Sequence, residues 1–60
     1  MKLEQQVFHN GRRADVGTVL GRYNVVCYDE EGNQVKIVEV HEHSRDYALD
    51  VATAWCEKRI

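Results

Sequence analysis

Several side chains in this sequence could coordinate a metal ion, and two of them have a spacing that metal sites use. His41 and His43 alternate along a segment with strand character, so they should project from the same face about 7 Å apart. His9, Cys27 or Cys56 could complete a ligand set. No Cys-x-x-Cys or His-x-x-x-His spacing accompanies the pair, and the His-Glu-His sequence lacks the helical spacing of a metalloprotease motif. We therefore expect no metal site and no cofactor.

A cysteine beside a histidine could also act as a nucleophile. Cys56 with His41 or His43 would need an exposed, activated thiolate and a third group that orients the imidazole. Cys56 instead falls near the end of an amphipathic helix pattern, where a small packing residue is typical. The acidic residues 29–31 have the pattern of a solvated turn rather than of paired catalytic carboxylates. The sequence thus indicates a protein that is not an enzyme.

Length and composition indicate one small folded domain that spans residues 1–60. The chain is 43% apolar and 30% charged, a composition typical of globular proteins rather than of disordered segments. Domains of this size gain only about 3–5 kcal/mol of net stability from their core. The formal net charge of -2 provides no general attraction to nucleic acid or to anionic membranes.

The N-terminal segment and the cysteines bear on the cellular compartment. Residues 1–6 contain charged and amide side chains in place of an apolar signal sequence, and no stretch approaches the roughly 18 apolar residues of a membrane span. Cys27 and Cys56 lie far apart, in different predicted elements. Free thiols in a reducing compartment are expected rather than a disulfide. We expect a cytoplasmic protein with no membrane partner.

The clearest local prediction is a β-hairpin at an Asn-Gly dipeptide. Asn10-Gly11 lies between two strand patterns, and Asn-Gly supplies the two positive-φ residues of a type I′ turn. A two-residue loop pairs His9 with Arg12, and counting outward sets residues 7, 5 and 3 opposite 14, 16 and 18. One face of the hairpin then collects Leu3, Val7, Ala14 and Val16. The other face is polar except for Phe8.

A second hairpin is predicted over residues 23–43. Gly21 marks either a bend or a turn before it, and both remain open. Strands at 23–28 and 34–43 flank an acidic turn, in which Gly32 is placed for the left-handed position. Loops of three and of four residues both fit, so the register is open. In either register, apolar side chains fall on both faces of the sheet.

The C-terminal segment predicts an amphipathic helix from about Arg45 to about Lys58. Ser44 precedes it as an N-cap, whose hydroxyl can accept from the free N–H groups of the first turn. Apolar residues recur at three- and four-residue spacing and therefore share one face, on which Trp55 is the expected anchor. The predicted fold is α+β, a small antiparallel meander sheet of three or four strands with this helix on one face. The helical apolar face comprises Tyr47, Ala48, Val51, Ala52 and Trp55.

One helix can cover only one face of such a sheet. We therefore expect apolar side chains on an uncovered face, which would mark a site of self-association or protein docking. The sequence predicts a protein-binding module, an adaptor or inhibitor, completed by a homodimer or by another protein, with no small-molecule substrate. Twisting of the sheet, with the N-terminal hairpin folded over it, is the alternative. The residues expected at the partner surface are Phe8, Tyr23, Val26, Val38 and Val40.

In size and layout the chain resembles short proteins of phages and mobile elements that bind a host enzyme, and the resemblance implies an inhibitor or adaptor. Its strand-strand-helix order, with alanines in the helix, also resembles the C-terminal part of double-stranded RNA-binding domains. That second resemblance implies nucleic-acid binding through Arg12, Arg13 and Arg22. Where that family has basic residues at the start of its last helix, this chain has Arg45 beside Asp46, which puts nucleic-acid binding in doubt.

Overall fold

Four strands and one helix form the fold in a computed structural model that describes residues 1–60. The strands are β1 (Lys2–His9), β2 (Arg12–Val19), β3 (Arg22–Tyr28) and β4 (Gln34–Glu39), and the helix is α1 (Arg45–Cys56). The strands pair antiparallel in the order β1-β2-β3-β4. The predicted fold class, an α+β meander with one C-terminal helix packed on the sheet, is confirmed.

Both turns between the first three strands are two-residue turns with left-handed backbone. Asn10 and Gly11 have φ of 53° and 79°, and His9 pairs with Arg12 as predicted. Leu20 and Gly21 have φ of 53° and 78°, so the chain turns at Gly21 rather than bends. The two turns therefore have the same backbone form, although asparagine opens the first and leucine opens the second.

The predicted pairing of β1 with β2 is correct as far as Gln5 and wrong beyond it. The register shifts between Leu3 and Gln5, so Leu3 lies opposite Gly17 instead of Thr18. This one-residue bulge turns Leu3 to the face away from the helix, because side chains alternate along a strand. Gly17 permits the close approach: a Cβ added there would lie 2.7 Å from the Lys2 carbonyl oxygen.

Replacing Gly17 with alanine is expected to destabilise the fold by about 1–3 kcal/mol, because the new methyl group meets backbone as well as the Met1 side chain. Urea unfolding followed by circular dichroism measures the change. An unchanged midpoint would show that the N-terminal end of β1 moves aside at no cost.

The β3–β4 hairpin uses the shorter of the two predicted loops. The N–H of Asp29 donates to the Asn33 carbonyl at 3.0 Å, which leaves residues 30–32 as the loop, and Gly32 has φ of 84°. The Asp29 carboxylate accepts from the N–H groups of Glu31 and Asn33, at 2.9 Å each. β4 ends at Glu39, although the sequence predicted strand as far as His43.

Helix α1 begins at its predicted cap and ends earlier than predicted. The Ser44 hydroxyl accepts from the N–H of Tyr47 at 3.4 Å, and the helix ends at Cys56. Lys58, the predicted last residue, has φ of 62°, which is outside the helical region. Tyr47 was expected on the buried face but is half-exposed, and it stacks on His43 with ring centroids 3.8 Å apart.

The core lies between α1 and the first three strands. Ala48 and Ala52 are fully buried, and their small side chains let the helix backbone approach the sheet. Trp55 is buried as predicted, and its Nε1 donates to the Tyr28 carbonyl oxygen at 2.9 Å. The backbone of α1 lies against β1, β2 and β3, whereas β4 reaches the core through side chains: Lys36 Nζ lies 5.7 Å from the Trp55 ring centroid, and Val38 packs against the buried cluster. The buried cluster comprises Ala14, Val16, Val25, Cys27, Val40, Ala48, Ala52, Trp55 and Cys56.

Candidate functional site: the open face of the sheet

The open face is the surface of the sheet that points away from α1. Directly opposed residues on neighbouring strands point to the same face, so the strand register defines which side chains form it. Ala14, Val16 and Cys27 belong to the core beneath α1, and the residues that alternate with them form the open face. Its rows across the four strands are Phe8-Arg13-Tyr28-Gln34, Gln6-Asp15-Val26-Ile37 and Leu3-Gly17-Asn24-Glu39.

Two of the five residues predicted for this face lie on it. Phe8 and Val26 are in its rows. Tyr23 and Val38 pack instead against the core beneath the helix, and Val40 is a buried member of that core. Their assignment to the open face was wrong. Tyr23 lies three residues from Val26 on β3 and therefore points to the opposite face, and Val38 and Val40 were misplaced because the sequence did not determine the β3–β4 register.

The middle of the open face is polar, contrary to the expected apolar surface. Arg13 Nε lies 3.2 Å from Asp15 Oδ1 as an ion pair, without the alignment of a hydrogen bond. Gln6 Nε2 donates to the same Asp15 oxygen at 3.2 Å. The Arg13 guanidinium also lies 3.7 Å from the centroid of the Tyr28 ring. These contacts tie the polar groups to one another within the chain, although Arg13 Nε has no hydrogen-bond acceptor.

The apolar part of the open face lies along β3 and β4, from the turn between β2 and β3 to Tyr28. A shallow groove of about 850 Å³ runs there across β3 and β4. Val26 and Ile37 are in the second row of the face, and Met1 contacts the position above Gly17. The groove is lined by apolar Met1, Val19, Leu20, Val26, Tyr28 and Ile37, and by polar Arg22, Asn24, Gln34, Glu39 and His41.

Leu20 is the most unusual residue of this region. Its side chain is 97% exposed, and its φ of 53° lies in the left-handed region that asparagine and glycine favour. A left-handed conformation costs a leucine about 1–2 kcal/mol. The fold itself therefore gives no reason for leucine at this position. Sequence reasoning missed Leu20 because the dipeptide Leu-Gly is not a recognised type I′ turn sequence.

The polar side of the groove contains one positively charged side chain without an ion-pair partner, that of Arg22. His41 Nε2 lies 3.0 Å from Asn24 Oδ1 and 3.5 Å from a Glu39 carboxylate oxygen. Arg22 is exposed and forms no ion pair within the chain. Its guanidinium is therefore available to an acidic group of another molecule.

The two histidines that were candidate metal ligands, His41 and His43, have different neighbours in the structure. They lie beyond the end of β4, where side chains no longer alternate between faces. His41 turns toward Asn24, whereas His43 stacks on Tyr47. No three His, Cys, Asp or Glu side chains of this protein are grouped as a metal site.

The three arginines considered for nucleic-acid binding do not form one basic surface. Arg12 and Arg13 are adjacent on β2 and therefore point to opposite faces. On the helix side, Arg12 Nε lies 3.0 Å from Glu30 Oε1, and its Nη1 donates to the Trp55 carbonyl oxygen at 3.1 Å. Arg22 lies on the open face but at the far end from Arg13, about 20 Å away by the rise of a strand.

The two cysteines are free and fully buried. Burial raises the pKa of the Cys27 thiol, and nearby Lys36 offsets part of that effect. Burial likewise raises the pKa of Cys56, whose Sγ lies 3.5 Å from the carbonyl oxygens of Val7 and Arg12. Neither thiol has the lowered pKa or the exposure of an activated nucleophile.

The free energy of unfolding should fall as pH rises through the alkaline range. The folded thiol pKa values lie above the unfolded value of about 8.5, so the folded state holds these protons longer than the unfolded state. The stabilisation is complete below the unfolded pKa and is lost as pH rises through the folded pKa. Urea unfolding between pH 7 and pH 10 measures the decline. A Cys27→Ala variant should decline less, and equal slopes would contradict the assignment.

Comparisons of the chain with protein-family models, curated proteins and solved structures found no match. α1, the single helix of the fold, is too short to span a lipid bilayer.

Proposed function

We propose that this protein is a non-catalytic protein-interaction module, an adaptor or inhibitor, that docks a protein partner at the Leu20 end of its open face. The proposed site of action is a reducing compartment such as the cytoplasm, in keeping with two free buried cysteines. The observation that carries the proposal is Leu20, almost fully exposed and held in the left-handed region. Contact with a partner would remove this side chain from water and so give a physical reason for the residue.

The groove beside Leu20 has the composition of a protein interface. Met1, Val26 and Ile37 supply apolar surface, while Arg22 and Glu39 supply charge beside them. An apolar centre with a polar rim is the usual arrangement where proteins bind one another. Arginine is enriched among the residues that contribute most to such binding, and Arg22 is free to pair with an acidic group of the partner.

Nucleic-acid binding is less well supported by the same surface. Arg12 is engaged by Glu30 and by backbone carbonyls on the helix side. Arg13 is engaged by Asp15 and Tyr28 on the open side. Of these three arginines only Arg22 forms no ion pair, and a phosphate backbone requires a track of several free cations. The protein partner is therefore the proposal, and nucleic acid is an outcome that the experiment can detect.

Affinity capture from cell extract with three forms of the protein tests the proposal. The forms are the wild type, Leu20→Asn, and Asp50→Asn as a control on the exposed side of α1. We expect one protein to be enriched equally by the wild type and by Asp50→Asn, and to be depleted with Leu20→Asn in quantitative mass spectrometry. The same proteins captured by all three forms would contradict the proposal. Recovery of nucleic acid that is lost at raised salt would favour the alternative.

A further inference from the structure

β4 is an edge strand whose outer edge pairs with no other strand of the chain. It pairs only with β3. Lys36 and Val38 reach the core beneath α1, but the helix backbone lies over the other three strands. Val35 and Ile37 are 49% and 53% exposed. An exposed apolar edge is a template for pairing with another strand, and soluble proteins usually protect such edges.

The backbone of β4 has free hydrogen-bonding groups along its outer edge. The N–H of Val40 donates to the Tyr23 carbonyl at 3.1 Å. Val40, Val38 and Lys36 therefore direct their backbone N–H and C=O groups toward β3. In an antiparallel pair this direction alternates along the strand. The N–H and C=O groups of Ile37 and Glu39 therefore point outward. Water hydrates these groups in the isolated chain, and an extended backbone can replace that water along the whole row.

The opposite edge of the sheet is protected. β1 has a bulge between Leu3 and Gln5, which interrupts the regular spacing that a pairing strand needs. Side chains of α1 reach this strand as well: Arg45 Nη2 donates to Gln5 Oε1 at 2.9 Å, and the Cys56 thiol donates to the Val7 carbonyl at 3.5 Å. The two edges are therefore not equivalent, and β4 is the one open to pairing.

We propose that β4 pairs antiparallel with β4 of a second copy of this chain, forming a continuous eight-stranded sheet with Ile37 on the two-fold axis. Pairing of like edges closes at two copies, whereas pairing of β4 with β1 would continue into a filament. In this register Ile37 faces Ile37 of the partner subunit and both exchange the outward backbone hydrogen bonds. Lys36 is the only charged residue from Gln34 to Val38, and the register sets it opposite the partner subunit's Val38 rather than another lysine.

The symmetry of this dimer would place two copies of the proposed partner site on one side of the sheet, but the dimer does not require that site. A two-fold axis perpendicular to the sheet places both helices on one side and both open faces on the other. Two copies of Leu20 would then be presented on one surface, which could bind a two-fold symmetric partner with avidity. Ile37 also lines the groove, but the dimer is tested by self-association of the isolated protein and the partner site by Leu20→Asn, so the two proposals can fail separately.

A proline at position 37 tests the pairing of β4 directly. Because the N–H of Ile37 points outward, Ile37→Pro removes no hydrogen bond within one copy, and edge strands tolerate proline at such positions. Gln6→Pro is the matched control. The His9–Arg12 pair beside the two-residue turn sets the alternation along β1, and the Gln6 N–H faces outward at that edge.

Sedimentation equilibrium over a micromolar concentration series should give a dimer for the wild type and for Gln6→Pro. Ile37→Pro should be monomeric over the same range, with association weakened at least tenfold and with unchanged circular dichroism. A wild type that is monomeric throughout the series, or an Ile37→Pro variant that dimerises like the wild type, would overturn the proposal.

A cysteine at the same position supplies a second test that does not depend on tolerance of proline. Residues on the axis of a hydrogen-bonded pair have Cα atoms about 5.5 Å apart, which is within the range of a disulfide. Both native cysteines are fully buried, so Ile37→Cys introduces the single accessible thiol. It should form a covalent dimer under mild oxidation much faster than Glu57→Cys on the helix side. Equal rates would overturn the pairing, even if Ile37→Pro failed to fold.

Discussion

Replacing Trp55 with alanine is expected to unfold the domain at room temperature. The indole is buried beneath α1, and its Nε1 donates to the Tyr28 carbonyl oxygen at 2.9 Å. The Arg12 guanidinium lies 4.0 Å from the ring centroid. Truncating a buried tryptophan costs about 3–5 kcal/mol. That loss is comparable with the whole net stability of a domain of this size, about 3–5 kcal/mol.

A Trp55→Phe variant separates the indole's hydrogen bond from its volume. Phenylalanine keeps most of the buried apolar surface but leaves the Tyr28 carbonyl without its donor, which should cost about 1–3 kcal/mol. Far-UV circular dichroism with urea titration reports both variants without relying on the single tryptophan as a probe. A cooperative transition for Trp55→Ala close to that of the wild type would show that the core does not depend on this side chain.

Replacing Leu20 with asparagine is expected to stabilise the fold while it weakens partner binding. Asparagine tolerates the left-handed backbone of this turn, as Asn10 does in the equivalent turn between β1 and β2. We expect a gain of about 0.5–1 kcal/mol in the free energy of unfolding. Removing an exposed leucine that a partner buries should cost about 2 kcal/mol of binding, or roughly a 30-fold weaker Kd. Few substitutions would move stability and binding in opposite directions in this way.

The reciprocal substitution, Asn10→Leu, is the control for backbone strain. It should destabilise the fold, because it introduces the same left-handed leucine and also removes the hydrogen bond from Asn10 Nδ2 to the Cys56 carbonyl oxygen. It should leave partner binding unchanged, because position 10 lies away from the groove. Urea unfolding and titration calorimetry measure the two quantities. Equal stability of Leu20→Asn and wild type, with equal affinity, would remove the physical basis of the proposed docking site.

Features encoded by neighbouring residues could be predicted from the sequence. Asn10-Gly11 predicted the first hairpin and its pairing, because the turn requires two left-handed residues. Ser44 predicted the start of α1 through its hydroxyl. The apolar spacing of the helix predicted the burial of Trp55. Each of these features depends on interactions within a few residues of the chain or on one helical period.

Features that depend on long-range register could not be predicted in the same way. Val38 and Val40 were assigned to the open face because the β3–β4 loop length was undetermined, and a one-residue change of register moves a side chain to the other face. The bulge that turns Leu3 outward arises from the close approach of β1 to Gly17, which no local pattern records. Arg12 was considered for nucleic acid, but its guanidinium is held by Glu30 and Trp55.

Backbone amide chemical-shift mapping of the labelled protein, titrated with the captured partner, tests the docking site most directly. We expect the perturbed amides to cluster in the turn at residues 19–22 and along β4, and we expect Asp50 in α1 and Glu57 just after its end to be unperturbed. Perturbations centred on the exposed side of α1, with the signals of Leu20 and Gly21 unchanged, would contradict this expectation.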